Sequence, residues 1–298
     1  MSRGDSPRLR EWVEYHSRLG FDDFYVILDN PVDDSEQVLL SLDVPAKITI
    51  DVRAASGEYY DGLTPAERWA RVLAWRKANG SRLTAQGLPV VDPLALRQLE
   101  YFREVLSAVY AGNGDSWVAV IDVDEFIALP GGRRIQDITS AARSPRVRFL
   151  NFNFDTSGND DTKPFLAQHT MRWARKDVEA YGQGWEHRVK TIARNDALLP
   201  FTSVHPISKG PCEISDPDVA RLHHYKIPDQ GLPIPYSTKD TTLINTLCSR
   251  CRTPIEAFEP FEGESNLGPA EVLMQAFPCE HLFPLDEAES MTQATSPR

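Results

Sequence analysis

The chain lacks long hydrophobic runs. No stretch approaches the roughly 18 consecutive apolar residues that a membrane-spanning helix needs. Its first residues, MSRGDSPRLREW, also lack the apolar core of a signal peptide. We therefore expect a cytoplasmic chain without a membrane span. One alternative stays open, namely an upstream membrane anchor that is absent from this chain.

Cysteine and positive charge are also scarce. The four cysteines include a single CxxC pair, Cys248 and Cys251, without a second pair at zinc-ligand spacing. Reduced thiols are the default expectation, and a structural zinc site or a disulfide is the alternative. The net charge of −11 disfavours nucleic-acid binding, which needs a basic face. The phosphate loops GxxxxGK[ST] and GxGxxG are absent, which disfavours other phosphoryl or nucleotidyl transferases.

Helical and strand patterns alternate along the chain. A length of 298 residues suffices for one large α/β domain. Helical periodicity covers residues 8–19, 35–42, 64–78 and 93–110. Strand patterns cover residues 24–28, 47–52, 117–121, 146–154, 188–193 and 219–225. The alternation predicts a doubly wound α/β sheet. We assign residues 1–254 to this domain and 255–298 to a C-terminal extension, whose last part we expect to be disordered.

The segment WVAVIDVDEF carries the most specific chemical signal. Asp122 and Asp124 follow five apolar residues of a predicted strand. Alternate residues at the end of a strand point the same way, so we expect both carboxylates to face one cation. Carboxylate oxygens suit Mn²⁺ or Mg²⁺, which also accept phosphate oxygens. Helix capping or loop solvation is the competing interpretation of a bare DxD, and the preceding apolar run favours the metal site.

Together with REWVEYH, FYVILDN, KTIARNDAL, VHP and RLHHYK, this segment resembles the GT-A glycosyltransferases of family 92 and related family 2-like proteins. The resemblance covers about residues 8–225. It implies a GT-A fold, which is a Rossmann-like, doubly wound mixed sheet flanked by helices. It also implies a divalent cation and a nucleotide-sugar donor, whose sugar is transferred, with inversion, to a glycan or another hydroxyl acceptor.

The resemblance further implies roles for single residues. Asp122 and Asp124 match the metal-binding DxD, and His205 and His224 are the candidates for a further metal ligand. The candidates for contacts with the nucleotide or its diphosphate are Asp29, Asn30, Gln98, Lys190 and Arg194. Ordinary structural or solvent-facing roles remain the alternative for both histidines, for Lys190 and for Arg194.

An inverting transfer also needs a carboxylate that takes the proton of the acceptor hydroxyl. The acidic residues after the DxD are the candidates, namely Asp155, Asp160, Asp161 and Glu186. The sequence does not choose among them, and simple loop solvation is the alternative for each.

The N-terminus departs from the family pattern. Members of the family open with a strand that ends in Asn-Glu, and this chain has MSRGDSP at that place. The first strand is therefore expected to be missing, through truncation or through loss of one edge of the donor pocket. This departure supports the alternative function, a truncated or non-catalytic relative that binds a carbohydrate or a protein.

Overall fold

The computed structural model describes residues 1–54, 59–110, 116–160, 163–181, 189–195, 211–226 and 234–247. The chain divides into two compact units, residues 1–240 and residues 241–298. The described part of the second unit consists of residues 241–247 and contains helix α8, Thr242–Leu247. No helix in the described part of the chain is long and apolar enough to cross a membrane.

The first unit mixes helices and strands, and it contains several short elements that the sequence patterns did not predict. Its helices are α1 Ser6–Leu19, α2 Ser35–Leu40, α3 Pro65–Ala85, α4 Pro93–Val105, α5 Ile135–Ala141, α6 Phe165–Gln168 and α7 Arg175–Tyr181. Its strands are β1 Asp23–Asp29, β2 Lys47–Arg53, β3 Trp117–Ala119, β4 Glu125–Ala128, β5 Arg146–Asn153, β6 Met171–Arg172, β7 Val189–Arg194, β8 Glu213–Ile214, β9 Arg221–His224 and β10 Thr238–Lys239. A π-helical turn, Leu106–Tyr110, follows α4, and a 3₁₀ turn, Pro130–Gly132, follows β4.

Helix α1 packs on a small parallel sheet formed by β1 and β2. Its apolar residues Leu9 and Val13 are buried against Phe24, Val26 and other side chains of β1. The helix ends at Gly20, whose φ of 102° is a conformation that glycine adopts without steric cost. The predicted order of helix, strand, helix, strand is confirmed in this region.

The segment before α1 contributes one bridge instead of a strand. Ser2 pairs with Leu28 in parallel, since its N–H donates to the Ile27 carbonyl and its own carbonyl accepts from the Asp29 N–H, both at 2.8 Å. Beside this bridge lies a cavity of about 260 Å³ that is lined by residues of both β1 and β3. Residues of both sheets therefore line one cavity.

The larger sheet is mixed and has the strand order β3-β7-β5-β9-β4, with β8 beside β5. Strand β3 runs antiparallel to β7, and β4 runs antiparallel to β9. The prediction of one strand over residues 117–121 was therefore too long. Pairing stops at Ala119, and the chain turns before it pairs again from Glu125. A mixed sheet flanked by helices is compatible with a Rossmann-like fold.

Candidate active site

The DxD motif lies in a turn between β3 and β4. The Glu125 N–H donates to the Asp122 carbonyl at 3.0 Å, which closes the turn. The indole N–H of Trp12 on α1 lies 3.1 Å from the Asp122 carbonyl and 2.9 Å from the Glu125 carbonyl. Helix α1 thus holds both ends of the turn with one side chain. The sequence predicted that the two aspartates are alternate residues at the end of an extended strand. This prediction is wrong, because both residues lie in a turn.

Two further side chains of α1 hold the strand that follows the turn. The Tyr15 hydroxyl donates to the Ile127 carbonyl at 2.7 Å. The ring of His16 accepts the Ile127 N–H through Nε2 at 3.3 Å and donates from Nδ1 to the Trp12 carbonyl at 2.8 Å. Burial lowers the pKa of His16 to about 3, so the ring stays neutral at physiological pH and keeps its acceptor.

A buried lysine lies beneath the turn. The side chain of Lys190 on β7 is 1% exposed, and its ammonium donates to Oδ2 of Asp122 at 2.8 Å. The same nitrogen lies 3.0 Å from Oε2 of Glu125, whose side chain is 3% exposed. Burial alone would lower the pKa of Lys190, but the adjacent charges of Asp122 and Glu125 raise it above its ordinary value. The lysine is therefore charged.

Both aspartates of the motif reach solvent on the other side of the turn. The Asp122 side chain is 32% exposed, and its Oδ1 accepts from Nε2 of Gln98 at 3.2 Å. The Asp124 side chain is 28% exposed, and its Oδ2 lies 3.4 Å from Nε2 of His224. Burial alone would lower the pKa of His224, but the hydrogen bond and charge of Asp124 raise it above its ordinary value. The structure thus brings together Asp122, Asp124, Gln98, Lys190 and His224.

The described residues include no group of three or more His, Cys, Asp or Glu side chains arranged to hold a metal ion. Asp122 is turned towards Gln98 and Lys190, whereas Asp124 is turned towards His224. Two part-exposed carboxylates and an imidazole nevertheless form a donor set that suits a hard divalent cation. Asp122, Asp124 and His224 are therefore the described residues that could contribute to a cation site.

The carboxyl end of β1 holds a second acid–base pair. Asp29 is 1% exposed, and its Oδ2 accepts from Nε and Nη2 of Arg97 at 3.2 and 2.9 Å. Tyr59 lies against the same carboxylate, since burial, the charge of Asp29 and a side-chain hydrogen bond to Asp29 all raise the pKa of the Tyr59 hydroxyl. The guanidinium of Arg97 lies 4.9 Å from the ring centre of Tyr59. Asn30 is exposed beside the pair, with a φ of 50°.

The turn and the end of β1 lie near one another. Arg97 and Gln98 are adjacent residues of α4, and Arg97 contacts Asp29 whereas Gln98 contacts Asp122. The turn and the end of β1 therefore belong to one region of the molecule.

Other predicted residues make different contacts or lie outside the described residues. Arg194 is exposed and pairs with Trp117 at the start of β3, about 13 Å along the strand from Lys190. Oδ1 of Asp155 accepts from the N–H and hydroxyl of Ser157 at 2.9 and 2.7 Å, which stabilises its own loop. Asp160 pairs with Lys163 at 3.1 Å. Asp161, Glu186, His205, Cys248 and Cys251 lie outside the described residues.

Three residues of the region were missed as site residues. Trp12 belongs to a motif that carried the resemblance, Glu125 directly follows the DxD, and Arg97 directly precedes Gln98. Their proximity to those motifs was an available signal, but nothing in the sequence showed which polar partner each one contacts.

Comparison with known proteins relates the chain to one family. No protein-family model matches it. It is 26% identical over 207 residues to a glycosyltransferase family 92 protein of Oryza sativa subsp. japonica, a match that covers 67% of this chain. It is 28% identical over 137 residues to a glycosyltransferase family 92 protein of Ricinus communis, which covers 46% of this chain. The matches span 27% and 18% of the relatives' own lengths. The chain is therefore related to the family 92 glycosyltransferases.

Proposed function

We propose that the chain carries the donor site of a metal-dependent glycosyltransferase that moves a sugar from a nucleotide diphosphate to a glycan or another hydroxyl acceptor. One observation carries the proposal. Asp122 and Asp124 are both part-exposed on a turn whose two ends are held by Trp12. The indole fixes the backbone of the turn that carries both carboxylates.

Sugar transfer leaves negative charge on the departing diphosphate. A bound Mn²⁺ or Mg²⁺ would supply Lewis-acid stabilisation of that charge. In this proposal, Asp122 and Asp124 hold the cation and His224 is a third ligand. Gln98 orients Asp122 through the hydrogen bond to Oδ1.

The end of β1 is proposed to bind the nucleotide. Asp29, which Arg97 holds at the strand end, is the acceptor proposed for an N–H of the base or a ribose hydroxyl. Arg97 adds a positive charge and Asn30 an exposed amide at the same strand end. We assign Lys190 no direct phosphate contact, because its ammonium is enclosed between Asp122 and Glu125.

The catalytic base of an inverting reaction stays a prediction. Among the candidate carboxylates, Asp155 lies in the described part of the chain, and one of its oxygens is engaged by Ser157. Asp160, which is also described, is engaged by Lys163. Asp161 and Glu186 remain candidates outside the described residues.

One observation favours a second candidate function. The described residues contain no preformed three-ligand metal site. A non-catalytic relative that binds a carbohydrate or a protein would need no such site, so the decisive property is cation-dependent nucleotide binding.

Calorimetric titration tests the proposal. Uridine, guanosine, adenosine and cytidine diphosphates are titrated into the protein with and without Mn²⁺. We expect at least one to bind in a Mn²⁺-dependent manner, and Asp122→Ala and Asp124→Ala to abolish that dependence. Glu179→Ala is the matched control, because Glu179 is an exposed acid paired with Arg175 on α7. Absence of binding by the wild-type protein would favour the non-catalytic function.

A further inference from the structure

Lys190 presents a feature that the proposed function does not explain. A lysine in a strand usually extends its ammonium to water, whereas this side chain is 1% exposed. Its ammonium contacts Asp122 on one side and Glu125 on the other. Glu125 also accepts the Asp122 N–H through Oε2 at 2.9 Å. The lysine therefore neutralises the interior of the acidic turn.

Stability alone does not require a charge at this position. Replacing a buried ion pair by apolar residues of similar volume is often neutral or stabilising. The ammonium does, however, affect the exposed side of the turn directly. Any cation that binds Asp122 shares that carboxylate with Lys190, and two like charges on one carboxylate repel each other.

The free turn is consequently a weak cation site. Asp122, Asp124 and Glu125 are three neighbouring acidic side chains, and the Lys190 ammonium lies within hydrogen-bond distance of two of them, Asp122 and Glu125. Only two of these carboxylates reach solvent, and the described residues offer no three-ligand arrangement. A diphosphate would add both oxygen ligands and negative charge, which are the two properties that the free turn lacks.

We propose that Lys190 is an internal counter-ion that keeps the affinity of the turn for a free divalent cation low and thereby makes cation binding depend on the donor's diphosphate. This inference rests on the proposed function. Lys190 is a positioning residue, because it acts on the cation through Asp122 and does not touch the substrate.

Calorimetric titration of Mn²⁺ alone, without nucleotide, measures the effect. Lys190→Met should bind free Mn²⁺ at least about tenfold more tightly than the wild type, because the repelling charge is gone. Lys190→Arg keeps the charge and should stay within about threefold of the wild type. The double variant Lys190→Met with Glu125→Gln removes one basic and one acidic side chain from the interior of the turn and should return towards the wild-type affinity.

A loss of packing would lower metal affinity, whereas the counter-ion role predicts an increase. Arg194→Met is the matched control, since it removes a positive charge from the exposed far end of the same strand. Circular dichroism verifies that each variant is folded. If Lys190→Met does not fold, the variant Glu125→Gln tests the counter-ion role instead. This variant keeps the ammonium and removes one carboxylate, so it should weaken the binding of free Mn²⁺ about tenfold.

The outcomes separate the two proposals. If the wild type shows no Mn²⁺-dependent nucleotide binding, the proposed function fails and this inference fails with it. If the wild type shows that dependence but folded Lys190→Met binds free Mn²⁺ no more tightly, only the counter-ion role is overturned. The counter-ion role is likewise overturned if Lys190→Met is unfolded and Glu125→Gln matches the wild type.

Discussion

Two acid–base pairs at strand ends of this molecule have opposite exposure. At the end of β1, the Asp29 side chain is 2% exposed and that of Arg97 is 13% exposed. At the turn after β3, Lys190 is 1% exposed and Asp122 is 32% exposed. In each pair a hydrogen bond joins the two side chains, and the charge of the less buried partner is the one nearer to solvent. The turn therefore presents negative charge and the end of β1 presents positive charge.

A cation bound to a nucleotide diphosphate carries both signs of charge. The opposite pairs would complement the cation at the turn and the anionic phosphates at the end of β1. This difference between the pairs is the physical basis of the proposed donor site, and each pair can be perturbed separately.

The largest expected effect comes from the exposed acid of the turn. Asp122→Asn keeps the shape of the side chain but removes its negative charge. We expect sugar transfer to fall by about 10²-fold to 10³-fold, the range seen when one group that stabilises transition-state charge is removed. Initial rates with the donor identified by calorimetry measure the effect, with Glu179→Gln as the control. A rate within threefold of the wild type would contradict the role of Asp122.

The second effect concerns the support of the turn by α1. Trp12→Phe removes the indole N–H that contacts the carbonyls of Asp122 and Glu125. Leaving these groups unsatisfied should lower the free energy of unfolding by about 1–3 kcal/mol. Urea denaturation measures the free energy of unfolding. Trp69→Phe is the control, because Trp69 is an exposed tryptophan on α3. Equal losses in both variants would show that the contact with the turn is energetically unimportant.

The third effect tests the positive end. Arg97→Met should weaken binding of the nucleotide diphosphate about tenfold, as expected for the loss of one charge-assisted contact. Binding of Mn²⁺ alone should not change, because Arg97 pairs with Asp29 and not with the turn. Calorimetry measures the nucleotide affinity and the Mn²⁺ affinity separately. Arg133→Met is the control, because Arg133 is exposed and hydrogen-bonds within its own loop. A change in Mn²⁺ affinity without a change in nucleotide affinity would reverse the assignment of the two ends.

The smallest effect is a pH dependence confined to the turn. Asp124 raises the pKa of His224, so the protonated ring stabilises the fold. This contribution is fully present below the unfolded pKa of about 6.5 and is lost as the pH rises through the raised folded pKa. It should be below about 1 kcal/mol, the range of partly exposed ion pairs. Arg97 stays charged throughout this interval.

Unfolding free energies of the wild type and His224→Gln at pH 6 and pH 8 test this prediction. The difference between the two proteins should shrink as the pH rises. A difference that grows with pH would mean that the neutral ring is the stabilising form.

Elements with strong local patterns were predictable from the sequence. The spacing of Leu9, Trp12 and Val13 on α1, and the apolar run of β1, specify their structure within a few adjacent residues. The run WVAVI was less informative, because an apolar run reveals neither the direction nor the partner of a strand. Its pairing with β7 and its end at Ala119 depend on distant residues.

The site was predictable in part for the same reason. Asp122, Asp124 and Gln98 were identified through local motifs, and the structure brings them together. The burial of Lys190 was not predictable, since it follows from where β7 lies beneath the turn. The contact of Trp12 with the turn joins residues more than a hundred positions apart, which no local pattern encodes.

Anomalous X-ray diffraction from crystals grown with Mn²⁺ and the bound nucleotide diphosphate tests the central claim most directly. The account predicts one manganese peak within about 2.0–2.6 Å of carboxylate oxygens of both Asp122 and Asp124, shared with the diphosphate. A manganese peak elsewhere in the molecule, or a diphosphate bound without contact to these two carboxylates, would contradict it.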